Sequence, residues 1–327
     1  MEFKKVVLLG GGVLGAQIAL MSAYSEHDTT IWMRSEGSIE RTKPKLERYS
    51  KLMLKSLEDS KALIGSPFGA HRYPRALVKD WDNITEEKVD ELIAKGKKNM
   101  DEKLHLELDL AKALEGADII IETMSENKQA KIDVYTKIKD MMDEKTILVT
   151  NTSNMLPSTF AEYTGRPEKY MALHFANEIW AQNTAECMGH EGTSQETYDA
   201  VVRFAEEINM IPIKLYKEQA HYVLNSMLNP FLASALELWG KDVADPETID
   251  KTWRLATGAP AGPFQIIDVV GLNTVYNSVE LAPASKDPNT VLYQVAKKLK
   301  EKIDKGEIGI NAGKGFYTYE DNNNALL

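Results

Sequence analysis

The sequence predicts an α/β domain built on a mostly parallel sheet, followed by an all-helical C-terminal domain. Three observations predict it. Short runs rich in branched aliphatic residues alternate with helix-periodic segments as far as residue 215, the pattern of successive βαβ units. The first run ends in a glycine-rich turn that opens directly into an apolar helix. After Tyr216-Lys217-Glu218 no further strand pattern occurs, which divides the chain into residues 1–216 and 217–327.

Composition narrows the function classes. The 327 residues are 43% hydrophobic and 27% charged, which suits a soluble protein with one larger and one smaller domain. A net charge of −10 without a concentrated basic patch argues against a nucleic-acid partner. No apolar run reaches the ~18 residues needed to span a bilayer, so no membrane partner is expected. The chain begins with a charged pentapeptide that runs straight into a strand, which reads as lacking a signal peptide. The single cysteine, Cys187, fits a reducing cytoplasm. It adjoins Glu186, and strand neighbours face opposite ways, so Cys187 reads as core. No metal site is expected.

Lys4–Leu9 is a compact strand ending in Gly10-Gly11-Gly12-Val13-Leu14-Gly15, followed by the apolar helix Ala16–Tyr24. Glycines at 10, 12 and 15 allow a tight turn, close approach of backbone to a pyrophosphate, and close helix–strand packing. The helix N-terminus turns unpaired amides toward the phosphates. Gly10, Gly12, Val13, Leu14 and Gly15 are therefore the candidate cofactor contacts, and the sheet is of the Rossmann type. A second strand, Thr29–Met33, ends where an acid commonly meets the adenosine ribose. Here Met33 stands there, followed by Arg34 and Ser35. A guanidinium and a hydroxyl suit a 2′-phosphate, which leans the cofactor from NAD(H) toward NADP(H). A solvated Arg34, or Glu36 replacing the acid, is the alternative.

Residues 38–103 form a charged, helix-rich excursion, with helical spacing at Glu40–Ser56 and Thr85–Ala94 and a break at Ser66-Pro67-Phe68-Gly69. It reads as a helical arm or cap, with Lys43, Lys45, Arg48, Lys51 and Lys55 on a solvated face or, as the alternative, reaching a phosphate-bearing substrate. Strands follow at Leu104–Leu108, Ile119–Glu122 and Thr146–Thr150, with a helix at Lys128–Met141. Polar residues just past strand ends line the ligand crevice of such sheets. Glu122, Asn151, Ser153 and His174 occupy that kind of position, although Ser153 reads equally as a turn former.

Tyr170–Ala176 and Thr184–Met188 read as two strands joined by a turn, with His174 on the first and Glu186 twelve residues later on the second. Antiparallel pairing brings imidazole and carboxylate together, giving a general base of fixed tautomer. A core histidine near an unrelated glutamate is the plain alternative. Thr193-x-x-Glu196 reads as a capping box, and Ile211–Leu215 as the last strand. In the helical part, Tyr222–Trp239 is apolar on nearly every face and reads as buried, against a second subunit if not within the chain. Asp245-Pro246 starts another helix, Gly262-Pro263 interrupts the pattern, a final helix covers Asn289–Lys302, and Asn322-Asn323-Asn324 reads as a disordered tail.

These segments carry a resemblance. GGGVLG, ADIIIETMSEN, TNTSN, LHFAN with Glu186 beyond it, VLN at 223–225, TGAPAGPFQIIDVVGL at 257–272 and GKGFYTY at 313–319 resemble, in order, the 3-hydroxyacyl-CoA dehydrogenase family. The detail is most similar to its diketoreductase branch, close to the 3-hydroxybutyryl-CoA dehydrogenases. The resemblance implies interconversion of a 3-hydroxy and a 3-keto group by hydride transfer, as in fatty acid metabolism. It implies His174 as base and Glu186 as its orienting partner. Ser153 and Asn225 would hydrogen-bond the reacting oxygen or the imidazole, Asn177 would assist, and Glu122 and Asn151 would lie beside the nicotinamide and its ribose. It also implies a homodimer through the C-terminal domain. The chain departs from the family at Glu178, Ser226 and Ala220-His221-Tyr222. Those departures keep two alternatives in view: a diketoreductase acting on free keto acids or esters, and a dinucleotide-binding protein without turnover.

Overall fold

The computed structural model describes residues 3–66, 69 and 73–319. Pro67, Phe68 and the asparagine tail lie outside the described residues. The chain divides into two compact units, residues 1–223 and 224–327.

The first unit is an eight-stranded sheet: β1 (Lys5–Leu9), β2 (Asp28–Trp32), β3 (Leu104–Glu107), β4 (Ile119–Glu122), β5 (Ile147–Thr150), β6 (Tyr170–Phe175), β7 (Thr184–Met188) and β8 (Ile211–Leu215), in the order β3-β2-β1-β4-β5-β6-β7-β8. All neighbours run parallel except β6 and β7. The strand order reverses between β1 and β4, so the crevice of a doubly wound sheet opens at their C-terminal ends. Period-two alternation builds a core on each face. Val6, Leu8, Ile119 and Ile121 enter one layer, and Val7, Leu9 and Ile120 enter the other.

Helix α1 (Val13–Tyr24) covers the first face, with ten of its residues, Gly15 through Tyr24, buried. The arm consists of α2 (Glu36–Ser60) and α3 (Glu86–Lys103), and the short α4 (Leu110–Leu114) follows β3. Helix α3 runs well beyond the expected Thr85–Ala94. The helix continues through Gly96, where the Tyr24 ring lies 2.4 Å from the place of a β-carbon. The glycine serves close packing rather than a break. On the arm's outer face Lys51 pairs with Glu47 and Lys55 with Asp59, one turn apart and solvent-exposed.

The capping-box expectation at Thr193 is corrected. Helix α6 (Gln195–Glu207) is capped by Ser194, whose Oγ accepts from the Thr197 amide at 3.1 Å. Thr193 Oγ1 is engaged elsewhere, donating to the Tyr170 carbonyl at 2.7 Å.

The second unit is helical. It holds all but the first two residues of α7 (Tyr222–Gly240), with α8 (Pro246–Thr257), α9 (Pro263–Val270), α10 (Leu272–Glu280) and α11 (Val291–Asp304). Leu232, Leu236, Phe264, Ile267 and Leu299 form its core. Within the chain α7 is not buried on every face: Met227 is 64% exposed and Leu238 41%. The stripe through Leu232, Ala235 and Leu236 packs inward, with Leu228, Phe231 and Trp239 partly buried against the same core. Asp245 caps α8, accepting from the Thr248 amide at 2.9 Å. The helical pattern is interrupted between Thr257 and Pro263, with Gly262 capping and Pro263 opening α9. Among the described residues no helix is long and apolar enough to cross a membrane.

Candidate functional site

The glycine loop is shaped by what its glycines approach. Gly10 has φ +113°, in the region open to glycine. A β-carbon on Gly15 would stand 2.2 Å from the Gly10 carbonyl oxygen, whereas at Gly12 nothing comes nearer than 3.9 Å. The turn is thus tight on its inner side and bare on its outer side, as a backbone cradle for a pyrophosphate requires. Val13 is 44% exposed at the head of α1, where the first-turn amides have no intrahelical acceptor. These residues fit a dinucleotide. Thr123, just past β4, closes the inner side by donating from Oγ1 to the Gly10 carbonyl at 2.8 Å.

At the end of β2 the Met33 side chain turns inward and is buried, against Thr42. Arg34 and Ser35 are exposed. Ser35 Oγ lies 3.0 Å from Ser38 Oγ, which also accepts from Arg41 Nη2 at 3.1 Å. The turn thus carries two guanidinium groups and two hydroxyls, and Arg41 is a member that pattern reading missed.

Glu122, expected beside the cofactor, faces away from the crevice. Strand alternation puts it on the face of Ile120, and it has no exposed surface. Its Oε1 accepts from the Met124 amide at 2.6 Å and Lys131 Nζ at 2.7 Å. Its Oε2 accepts from Tyr135 at 2.8 Å and Thr150 at 2.7 Å. The buried ion pair therefore ties the segment after β4 to the end of β5, and the carboxylate acts on the crevice through those loops. Asn151 also braces: its Oδ1 accepts from the Phe175 amide at 3.0 Å, fixing the β5 loop to β6.

That loop delivers Ser153 to His174. In the register of β6 and β7, His174 lies directly opposite Glu186. His174 Nδ1 is 2.9 Å from Glu186 Oε2, and Nε2 is 3.1 Å from Ser153 Oγ. Both His174 and Glu186 are 4% exposed. A carboxylate only accepts, so Nδ1 carries the proton, and in the neutral ring Nε2 accepts from the Ser153 hydroxyl. Glu186 Oε1 accepts from the Val223 amide at 2.8 Å. The Tyr222 ring stacks on the imidazole, centroids 4.4 Å apart and planes 14° apart. Cys187 faces the opposite side and is fully buried, its thiol pushed up to about 12 by burial, so it is not a nucleophile here.

The remaining candidates stand elsewhere in the chain. Asn177 is exposed just past β6. Asn225 lies on α7 in the second unit. Glu178, with φ +58°, donates its amide to the buried Gln17 side chain at 2.8 Å. Burial raises its carboxyl above the ordinary range, against the charge of Arg48. Tyr222, Val223, Gln17 and Lys131 are members of this region that sequence reasoning missed. Only Lys131 leaves a signal, since it shares the inward stripe of α5 (Lys128–Ile138) with Tyr135 and Ile138.

The model of the 3-hydroxyacyl-CoA dehydrogenase NAD-binding domain matches residues 5–219, and that of the C-terminal domain matches residues 222–319. A solved diketoreductase, described for substrate-directed dual catalysis of dicarbonyl compounds, is 39% identical with a TM-score of 0.79, covering 98% of this chain and 100% of that one. The mitochondrial hydroxyacyl-coenzyme A dehydrogenase of Rattus norvegicus is 26% identical over 317 residues, 97% of this chain and 91% of that protein. A probable 3-hydroxybutyryl-CoA dehydrogenase of Bacillus subtilis is 26% identical over 322 residues, 98% of this chain and 99% of that protein.

Proposed function

Because the chain belongs to the 3-hydroxyacyl-CoA dehydrogenase family and is a dehydrogenase acting on CH–OH groups, we propose that it interconverts 3-hydroxy and 3-keto groups of an acyl substrate with His174 as the acid–base group. The observation that carries this reading is the buried His174–Glu186 contact at 2.9 Å with Nε2 turned to Ser153. In the oxidative direction Nε2 takes the proton of the 3-hydroxyl as the hydride leaves the same carbon, so the substrate loses one hydride and one proton, two electrons and two protons in all. When bound, the nicotinamide supplies the acceptor for that hydride. Glu186 holds the Nδ1–H and stabilises the imidazolium, and in the reductive direction Nε2 returns the proton to the carbonyl oxygen. Ser153 Oγ hydrogen-bonds the reacting oxygen, with Asn177 assisting. Replacing His174 by Asn is expected to lower kcat by at least ~10²-fold, the usual worth of positioned acid–base catalysis. Turnover no slower than the parent would favour a dinucleotide-binding protein without chemistry.

The family supports a 3-hydroxybutyryl-CoA type of substrate. A second reading, reduction of free β-keto or β,δ-diketo acids or esters, is supported by the 39% identity to a diketoreductase and by Glu178 following the His174 strand. Steady-state rates with acetoacetyl-CoA and with a 3,5-diketo ester separate them, and turnover of the ester alone removes the thioester. For the cofactor, Arg34 and Ser35, exposed beside an inward-turned Met33, support NADP(H). A kcat/KM higher with NADH than with NADPH overturns that preference. A homodimer through the helical unit completes the reading, supported by exposed Met227, Leu255 and Leu281. Sedimentation as a monomer at micromolar concentration overturns it.

A further inference from the structure

We propose that Tyr222 is a positioning residue for the acid–base pair, its phenol ring holding the plane of the His174 imidazole while the adjoining Val223 amide holds the Glu186 carboxylate. The proposal rests on the reading of His174 given above. In-plane contacts at Nδ1 and Nε2 restrain the two edges of the imidazole. They leave the ring able to roll about the line that joins them. A flat surface at stacking distance removes that roll, and Tyr222 supplies one, wholly buried, at 4.4 Å and 14°.

Three consecutive residues act together here. His221 Nδ1 meets Asn154 Oδ1 at 3.2 Å, beside Ser153. Tyr222 covers the imidazole, and the Val223 amide donates to Glu186 Oε1 at 2.8 Å. One short segment thus braces the serine loop, the base and its carboxylate. Its backbone bears a cost for doing so. His221 and Tyr222 have φ of +67° and +56°, the left-handed region that residues with a β-carbon avoid. Such strain persists where surrounding contacts over-determine it, and it concentrates at functional sites. The electron-rich face of a phenol ring also attracts a cation, so the stacked Tyr222 favours the imidazolium that forms when Nε2 takes up a proton.

The test compares Tyr222→Leu and Tyr222→Phe with the parent and with His174→Asn, all as the full chain. Tyr222→Leu is expected to lower kcat by about threefold to thirtyfold, the span of one cation–π contact. KM for the keto substrate and for the nicotinamide cofactor should stay within about twofold, since neither touches Tyr222 in this proposal. Tyr222→Phe, which keeps the flat ring, should restore kcat. A second readout needs no turnover. In cofactor-free protein the imidazole Nδ1–H resonance, identified by its loss in His174→Asn, should exchange faster with water in Tyr222→Leu than in the parent or in Tyr222→Phe. If Leu does not fold, Tyr222→Met carries the same comparison, being flexible and without a flat face. Parental kcat and exchange in Tyr222→Leu overturn the proposal. So does an equal loss in Leu and Phe accompanied by a raised KM, the mark of a structural role alone. An inactive His174→Asn beside a normal Tyr222→Leu removes only the positioning role, whereas an unimpaired His174→Asn removes the acid–base reading and this inference with it.

Discussion

Lys131 is wholly buried on the inward stripe of α5 and meets the equally buried Glu122 through two contacts, at 2.7 and 2.8 Å. Removing one partner strands the other, so Lys131→Met should cost about 3–5 kcal/mol in urea unfolding. The double change Lys131→Met with Glu122→Gln should recover part of that loss, because no bare charge remains. His27 poses a different electrostatic problem. It is buried, donates from Nδ1 to the Phe3 carbonyl at 2.7 Å, and its Nε2 has no partner among the described residues. Burial, the largest effect, holds its pKa below the ordinary value of 6.5. The unfolded chain therefore binds a proton more readily than the folded one. Stability from this residue is complete above about pH 6.5 and falls as pH drops from there toward the folded pKa, by at most ~1.4 kcal/mol per pH unit. Thermal denaturation of His27→Gln between pH 7 and 5 should show a shallower decline than the parent, and an unchanged slope would contradict the assignment. At this scale the sequence exposed His174 and Glu186 through strand alternation. Glu122 was misplaced because the same alternation, applied to β4, turns it inward with Ile120. Tyr222 left no signal, since a stack between distant segments depends on tertiary placement that periodicity does not contain.

Among the elements, the loop between β1 and α1 was the most legible, because each of its glycines answers to a local steric demand. Gly15→Ala should test that demand sharply. Its β-carbon would meet the backbone oxygen of Gly10 at 2.2 Å, and backbone cannot swing aside as a side chain can. Weakened dinucleotide binding in calorimetry is expected, with a lowered Tm and intact His174–Glu186 geometry. Gly12→Ala, with 3.9 Å of clearance to Thr123, should leave Tm nearly unchanged and weaken binding alone. The strands were read to within a residue or so because both faces of the sheet are covered and the apolar runs are correspondingly sharp. Helix ends were less legible. Two adjacent hydroxyls, at Thr193 and Ser194, compete for one cap, and only the β6 carbonyl that Thr193 binds decides between them. Ser194→Ala should cost about 1 kcal/mol.

For the whole molecule, the division into a sheet unit and a helical unit follows from where alternation stops. What holds the helical unit together was not visible in composition. Buried Asp268 accepts from the amides of Phe316 and Tyr317 at 2.8 and 3.0 Å and from the Tyr319 hydroxyl at 2.8 Å. Gly315 is required beneath it, a β-carbon there standing 2.0 Å from Asp268 Oδ1. The GKGFYTY segment is thus a clasp rather than a site. Asp268→Ala leaves two amides unpaired and should lower stability by about 2–6 kcal/mol, seen in calorimetry as an earlier transition of this unit. The pairing of β6 with β7 carries a consequence for descent. Since successive residues of a strand face opposite ways, a one-codon loss within β7 would set a thiol or a methyl group across from the imidazole in place of the acid. A lineage could thereby fall silent as a catalyst while still folding and still gripping its dinucleotide.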